Sequence, residues 1–273
     1  DSASPASFNI NQGLQSPVSL SSADVHIISR YRATGSIDFK NFSDTTQAGV
    51  LLNTFVIKDG KPFDSDSLDC YLNELQFLLE PAHSISRISL HASGHKLAEH
   101  NNPSTSLSFS NLQLRIPDDD SLVLDIRLCF KEAQLDGSKL SLKVTNLKAD
   151  PGFSQFEASS YDLLDSGKAW LDVQASMAHI LNLPDTLFSL LPYNNLKILA
   201  LDSFGNIDKD YEGKWSYWTS LSLNQADSLN FINGKAICSL RSLNAQSGYY
   251  QFYGHGDLGS IQDSFYLASP KFS

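Results

Sequence analysis

Period-two alternation of apolar and polar residues is the feature that most constrains this chain, and it recurs in thirteen segments between Ile27 and Ala268. Because successive side chains of an extended strand point to opposite faces, each segment would carry one apolar and one polar face. Turn signals such as Asp136-Gly137 and Asn233-Gly234 separate the segments. The sequence shows no helical crossovers of the kind that parallel strands require. The pattern therefore predicts an all-β protein of antiparallel sheet.

One stretch departs from this alternation. Between residues 176 and 191 the apolar positions recur at intervals of three and four residues around Leu183-Pro184-Asp185. This spacing predicts two short helical pieces that form a cap over an open sheet edge.

The expected organisation has three parts. Residues 1–22 are rich in Ser, Asn, Gln and Pro, which predicts an extended lead-in. Residues 23–152 read as an antiparallel meander, and residues 153–273 as a strand-helix-strands unit that continues the same sheet.

Composition narrows the function classes. The chain is 41% hydrophobic, which is enough to bury a core, but only 18% charged, against about 25% in a typical soluble domain. The net charge of −10 and the lack of clustered Lys and Arg exclude nucleic acid as a partner. Few cysteines and one methionine suit an envelope, secreted or surface protein. The cysteines, which lie in alternating apolar runs, are expected in the core: Cys70, Cys129 and Cys238.

A slip of the alternation occurs beside an asparagine in three predicted strands, at Asn73, Asn111 and Asn146. Since a shift of one residue sends side chains to the opposite face, each slip predicts a β-bulge or bend. Repeated bends curl a sheet.

A curled sheet with one apolar face either packs on a second sheet as a β-sandwich or forms an open trough. We expect the trough, with the sandwich as the alternative. Exposed apolar surface costs about 25 cal/mol per Å² in water, so an open trough implies an apolar ligand. The residues expected to line or close this groove are Leu107, Phe109, Leu140, Leu142, Leu171, Val173, Leu187, Leu190 and Leu191.

Several segments resemble the AsmA-like family of bacterial envelope proteins. They are the strands of the form Ser-Leu-x-Leu-x-x-Asn-Leu, residues 33–39 (Ala-Thr-Gly-Ser-Ile-Asp-Phe) and, above all, residues 167–208. The resemblance implies a periplasmic β-trough that binds or conducts phospholipid-type lipid in outer membrane biogenesis, without catalysis or a cofactor. The family's amino-terminal membrane anchor is absent from this sequence, so membrane association would depend on a missing anchor. A chain of 273 residues would be a fragment or a divergent member.

Aromatic residues near the carboxyl end favour a different function. Flat rings on a β-surface can stack on the apolar face of a sugar while amides and carboxylates bind its hydroxyls. Alternation places Trp215 and Tyr217 on one face with Leu221 and Leu223, and Trp218 on the other. Trp218 with Tyr250 is the candidate sugar platform, and the alternative function is a carbohydrate-binding β-sandwich of a secreted or surface protein.

Other polar groups give weaker signals. His91, His95 and His100 have spacing that could hold zinc, but strand alternation at residues 88–92 favours a solvated strand end. The acidic run at 118–120 is typical of a hairpin turn. The pairs Glu74/Glu80 and Asp208/Asp210 could serve a glycoside hydrolase only if they face each other across a cleft. The sequence thus predicts no metal, no cofactor and no enzyme activity.

Overall fold

The computed structural model of the protein describes residues 23–38, 49–60, 67–158, 160–220, 226–241 and 247–269; the predicted lead-in over 1–22 lies outside these ranges. Within them the chain forms twenty β-strands and a single 3-10 turn at Ala82–Ser84. This confirms the predicted all-β class. No helix in the described part of the chain is long and apolar enough to cross a membrane.

The first twelve strands form two six-stranded sheets. One has the order β11-β1-β3-β9-β5-β6, and the other has the order β2-β12-β10-β4-β7, with β8 also paired to β4. Pairing is antiparallel except for the short edge pairs β1/β11 and β2/β12. The strands are β1 (Ala23–Arg32), β2 (Gly35–Asp38), β3 (Val50–Lys58), β4 (Cys70–Glu80), β5 (Ile85–Ala92), β6 (His95–Asn101), β7 (Ser106–Phe109), β8 (Leu114–Ile116), β9 (Ser121–Phe130), β10 (Lys139–Ala149), β11 (Gln155–Phe156) and β12 (Tyr161–Asp172).

A single apolar core lies between these two sheets. Phe55 and Phe130 come from the first sheet and Phe77 and Phe109 from the second, and none is more than 2% exposed. Burying a side chain of this kind contributes about 1.5–3 kcal/mol. The two sheets therefore form a β-sandwich, and we call this unit the first sandwich.

All three predicted asparagine irregularities are present in the second of these sheets. Glu74 of β4 pairs with Lys148 of β10, and Leu72 pairs with the next residue, Ala149. Asn73 is therefore the extra residue of a bulge in β4. A second shift falls beside Asn146 in β10. Asn111 has a φ of 58° and separates β7 from β8. These irregularities keep apolar residues of opposite sequence parity on one buried face, which confirms the interpretation of the phase slips.

The predicted open groove is wrong for the residues of the first sandwich. Leu107, Phe109, Leu140, Leu142 and Leu171 all belong to its packed core. Val173, just after β12, is also buried. The facing sheet covers their apolar surface, so no ligand is needed there, and the alternative β-sandwich is the observed arrangement.

The remaining eight strands form a second sandwich. Its three-stranded sheet has the order β13-β15-β18, and its five-stranded sheet has the order β14-β20-β19-β16-β17, in which only β14/β20 is parallel. Its own core includes Leu196, Trp215, Phe252 and Phe265. The strands are β13 (Met177–Leu181), β14 (Thr186–Phe188), β15 (Tyr193–Leu201), β16 (Trp215–Thr219), β17 (Ala226–Leu229), β18 (Lys235–Leu240), β19 (Gly248–Gly256) and β20 (Gly259–Ala268).

The helical cap predicted over residues 176–191 is wrong, because this stretch forms β13 and β14. Pro184 lacks an N–H and leaves too few residues on either side for a stable isolated helix. Pairing with β15 and β20 supplies hydrogen bonds to the backbone instead. Of the residues expected to close the groove, Leu187 lies in the second core, Leu190 is half-buried and Leu191 is 59% exposed.

Two glycines of β19 make room for the largest core side chain of the second sandwich. A Cβ atom added at Gly254 or at Gly256 would overlap the indole ring of Trp215. Trp215 is only 1% exposed and cannot move aside without disturbing the core. The glycine-rich segment at 254–259 therefore serves packing at two of its positions.

We expect Gly254→Ala to destabilise the second sandwich by about 1–3 kcal/mol, because the added methyl group overpacks the space of the Trp215 ring. Chemical denaturation followed by tryptophan fluorescence measures this loss. Ser264→Ala, on the exposed face of neighbouring β20, is the control and should change stability by less than about 0.5 kcal/mol. Equal stability of Gly254→Ala and the parent chain would contradict this packing role.

A hydrogen-bonded junction joins the two sandwiches. Asn206 of the second accepts a hydrogen bond from the Gln134 N–H (2.8 Å) and donates to the Glu132 carbonyl (2.7 Å). The Lys209 N–H donates to Asp136 Oδ2 at 2.9 Å. The first sandwich extends through β12, because β11 and β12 pair with its strands.

Candidate functional site

The outer face of the five-stranded sheet carries the candidate site. Strands β16, β19 and β20 pair antiparallel in a continuous register, so side chains of one parity share this face. We call it the aromatic face. Its residues on these strands are Ser216, Trp218, Tyr249, Gln251, Tyr253, His255, Ser260, Gln262, Ser264 and Tyr266.

Trp218 and Tyr253 are directly opposite each other on β16 and β19. Their ring centroids are 5.6 Å apart and the ring planes differ by 14°, which is an offset parallel arrangement. Trp218 remains 39% exposed. The pair therefore presents a flat apolar ring surface to solvent.

A second aromatic pair lies further along the same face. Tyr249 and Tyr266 are register partners with ring centroids 5.0 Å apart, and Tyr249 is 82% exposed. Tyr253 lies four positions after Tyr249 on β19, a distance of about 13 Å along the strand. Gln251 lies between the two pairs on β19, and it accepts a hydrogen bond at 3.2 Å from Nε2 of Gln262, the register partner of Tyr253 on β20. One side-chain amide thus lies between the two aromatic platforms, and a second lies beside the Trp218/Tyr253 pair.

Serine, glutamine and aromatic residues, together with one histidine, make up the aromatic face on β16, β19 and β20. Its ten residues on β16, β19 and β20, all within the described part of the chain, include no Lys, Arg, Asp or Glu. His255 Nδ1 and the Ser260 hydroxyl oxygen are joined by a hydrogen bond of 2.7 Å. Such a surface suits a neutral, hydroxyl-rich ligand.

The predicted platform partner Tyr250 points the other way. Trp218 does lie opposite in parity to the buried Trp215 and Tyr217, as predicted, while Leu221 and Leu223 lie outside the described residues. Tyr250, however, is half-buried against the second core, with its ring 6.2 Å from that of Phe265. Since Tyr250 and Tyr253 differ by three positions, they face opposite sides of β19. The residue beside Trp218 is therefore Tyr253 and not Tyr250. This follows from the register between β16 and β19, which the sequence alone does not give.

The histidines at 91, 95 and 100 do not converge into a metal site. His91 is buried and its Nε2 hydrogen-bonds the Ser89 hydroxyl at 2.9 Å. His100 Nε2 hydrogen-bonds the Ser108 carbonyl oxygen at 2.7 Å, and His95 is exposed at the start of β6. Burial, and then the positive charge of Arg127, hold the pKa of His91 below its ordinary value of 6.5.

We expect His91 to make the folded protein less stable as pH falls from about 7 to about 5. The unfolded chain takes up a proton near pH 6.5, while folded His91 resists protonation, so the unfolded state binds more protons in this window. In His91→Gln, which keeps a polar group for Ser89, the decrease in Tm over this range should be smaller. The exposed control His95→Gln should retain the parent pH dependence. A His91→Gln profile parallel to the parent profile would refute this assignment.

Three carboxylates meet at the junction of the sandwiches. Within the described ranges, Asp136, Asp208 and Asp210 form the one group of three potential ligand side chains whose ligand atoms all lie within 4.8 Å of one another. Burial, followed by the neighbouring carboxyls of Asp210 and Asp136, raises the pKa of Asp208 to about 6. Sequence reasoning named Asp208 and Asp210 only as a weak acid/base pair, and it missed Asp136 because the three are distant in the chain.

Glu74, another acidic candidate, has structural partners. Glu74 accepts hydrogen bonds from Ser108 Oγ at 2.6 Å and Gln76 Nε2 at 2.9 Å, and these bonds lower its pKa. The run at 118–120 is a turn between β8 and β9, in which the Asp120 N–H donates to the Pro117 carbonyl oxygen at 3.0 Å. The predicted hairpin is wrong, because β8 pairs with β4 while β9 belongs to the other sheet.

Comparison with known proteins gives only distant structural similarity. No family model matches the chain, and no curated protein matches it. A β-glycosidase from Bacteroides vulgatus aligns over 89% of this chain and 24% of its own, with 8% identity and a TM-score of 0.30. A glycosyl hydrolase family 2 member from Bacteroides cellulosilyticus aligns over 88% and 28%, with 9% identity and a TM-score of 0.32. Two tandem Ig domains of titin align over 89% and 95%, with 10% identity and a TM-score of 0.30.

The chain spans about a quarter of the length of the two glycosidase structures. TM-scores this low define neither a family nor a function. The resemblance to the AsmA-like family therefore stays a prediction.

Proposed function

We propose that this protein is a non-catalytic carbohydrate-binding β-sandwich protein and that the aromatic face is its binding surface. The exposed, nearly parallel pair of Trp218 and Tyr253 is the observation that carries the proposal. Rings held in this way by adjacent strands offer an apolar platform with little conformational entropy to lose on binding. A pyranose stacks on such a platform through its C–H face.

The arrangement along the strands favours an extended ligand. The Tyr249/Tyr266 pair offers a second platform about 13 Å away. Gln251, between the platforms, and Gln262, beside Tyr253, can exchange hydrogen bonds with sugar hydroxyls. Since the positions of this face on β16, β19 and β20 hold no carboxylate, lysine or arginine, a neutral oligosaccharide is the class of ligand that fits. A secreted or cell-surface location accords with this function.

We expect Trp218→Ala and Tyr253→Ala each to weaken binding of a neutral oligosaccharide by at least about tenfold, because each removes half of the stacking platform. A glycan array of the full chain selects the oligosaccharide, and isothermal titration calorimetry then gives the affinity.

The first sandwich offers a matched control for this test. Trp170 of β12 has the same exposure as Trp218, 39%, so Trp170→Ala removes an equally exposed indole from a different surface. It should leave the affinity unchanged. Absence of binding to any neutral glycan, or an equal loss in Trp170→Ala, would rule out this function for the aromatic face.

An apolar cleft in the second sandwich supports a second candidate, lipid binding. The cleft has a volume of about 590 Å³ and is lined by Leu229, Ile232 and Ile237, with Lys197 and Lys235 at its polar side. Ile232 is 72% exposed and Ile237 is 65% exposed. An acyl chain with an anionic headgroup matches this combination of apolar and cationic side chains. The cleft is separate from the residues that sequence analysis assigned to a groove.

If the cleft holds lipid, Ile237→Glu should remove co-purifying lipid from the full chain, because the carboxylate places a charge against the acyl chain. Mass spectrometry of organic extracts measures the loss. Ile28→Glu, at an isoleucine of the first sandwich that is 46% exposed, is the control and should retain the lipid. A parent protein free of lipid would exclude this candidate.

A further inference from the structure

The junction between the sandwiches brings together carboxylates from both units. Asp136 belongs to the loop after β9 in the first sandwich, and Asp208 and Asp210 belong to the loop after β15 in the second. One ligand oxygen from each lies within 4.8 Å of the other two. Like charges at this separation repel one another unless a proton or a cation lies among them.

Backbone donors fix two of these carboxylates in place. Asp136 Oδ1 accepts the Val173 N–H and its Oδ2 accepts the Lys209 N–H, both at 2.9 Å. Asp208 Oδ2 accepts the Ala175 N–H at 2.8 Å. The interdomain segment and both loops therefore converge on the same group of oxygens, and the geometry is set by main-chain hydrogen bonds.

An unpartnered oxygen points to a missing ligand. Asp208 is 7% exposed, and its Oδ1 is buried without a hydrogen-bond partner. Because Oδ2 is engaged by the Ala175 N–H, Oδ1 is the oxygen left for the carboxylate cluster. Burial of a carboxylate oxygen without a donor or a cation is costly.

We propose that Asp136, Asp208 and Asp210 bind one Ca²⁺ ion that joins the two sandwiches. An all-oxygen ligand set favours Ca²⁺ or Mg²⁺ over zinc, since the cluster holds no histidine or cysteine. Ligands from two separate loops suit the flexible coordination of Ca²⁺ better than the strict octahedron of Mg²⁺. Asp210 is exposed, so water can complete the coordination from that side.

The test compares the full chain in a chelator with the same chain in millimolar CaCl₂. Ca²⁺ should raise the Tm by at least about 3 °C, because a ligand that binds only the folded state stabilises it by mass action. Isothermal titration calorimetry with CaCl₂ should give one site per chain. Equal or larger stabilisation by the same concentration of MgCl₂ would overturn the assignment to Ca²⁺.

The variant Asp208→Asn distinguishes loss of Ca²⁺ binding from loss of folding. The amide oxygen can still accept the Ala175 N–H, while one negative charge leaves the buried cluster. This variant should be at least as stable as the parent chain in chelator, yet bind Ca²⁺ at least about tenfold more weakly. Asp120→Asn, in the exposed turn before β9, is the matched control and should retain the full Ca²⁺ effect. No Ca²⁺ shift in the parent, or the same shift in Asp208→Asn as in the parent, would overturn the proposal.

Discussion

The interaction on which the structure depends is the burial of one apolar face of each sheet against another sheet. Each of the four sheets alternates in side-chain character, and none could remain open in water without exposing a continuous apolar surface. Two separate cores result, one around Phe55, Phe77, Phe109 and Phe130 and the other around Trp215, Phe252 and Phe265. In the part of the chain that the structure describes, this pairing covers the inner faces around both cores, which leaves outer faces, sheet edges and the junction accessible to ligands.

Sequence reasoning predicted those parts of the fold that depend on local pattern. Alternation gave the all-β class, and the phase slips at Asn73 and Asn146 gave the bulges, since parity is a property of neighbouring residues. It failed where the outcome depends on distant partners. Whether an apolar face such as that of Leu140 and Leu142 is open or covered depends on a second sheet, and alternation is the same in both cases. The strands at 177–188 likewise depend on pairing with residues far along the chain.

The candidate site was likewise predictable where it depends on local alternation, and it was not predictable where it depends on distant partners. The outward direction of Trp218 can be predicted from the sequence. Trp215 and Tyr217 are two positions apart and face the core, so Trp218, the next residue, faces the other side of the strand. Its partner could not be chosen between Tyr250 and Tyr253, since the run from 249 to 253 is aromatic at both parities and only the β16–β19 register decides. Asp136 was missed for a related reason, because its proximity to Asp208 arises from the docking of two units.

The aromatic face and the carboxylate cluster differ in the parts of the fold that support them. The aromatic face rests on β16, β19 and β20, whose inner side chains pack in the second core, so the strands that carry its rings are already in place when a ligand binds. The carboxylate cluster rests on loops, and its geometry depends on the orientation of one sandwich relative to the other. Hydrogen bonds of Asn206 and Lys209 hold that orientation, but repulsion among the three carboxylates, two of which are buried, opposes it. Neutralising those charges therefore removes a repulsion between the two sandwiches, whereas the aromatic face lies within one of them.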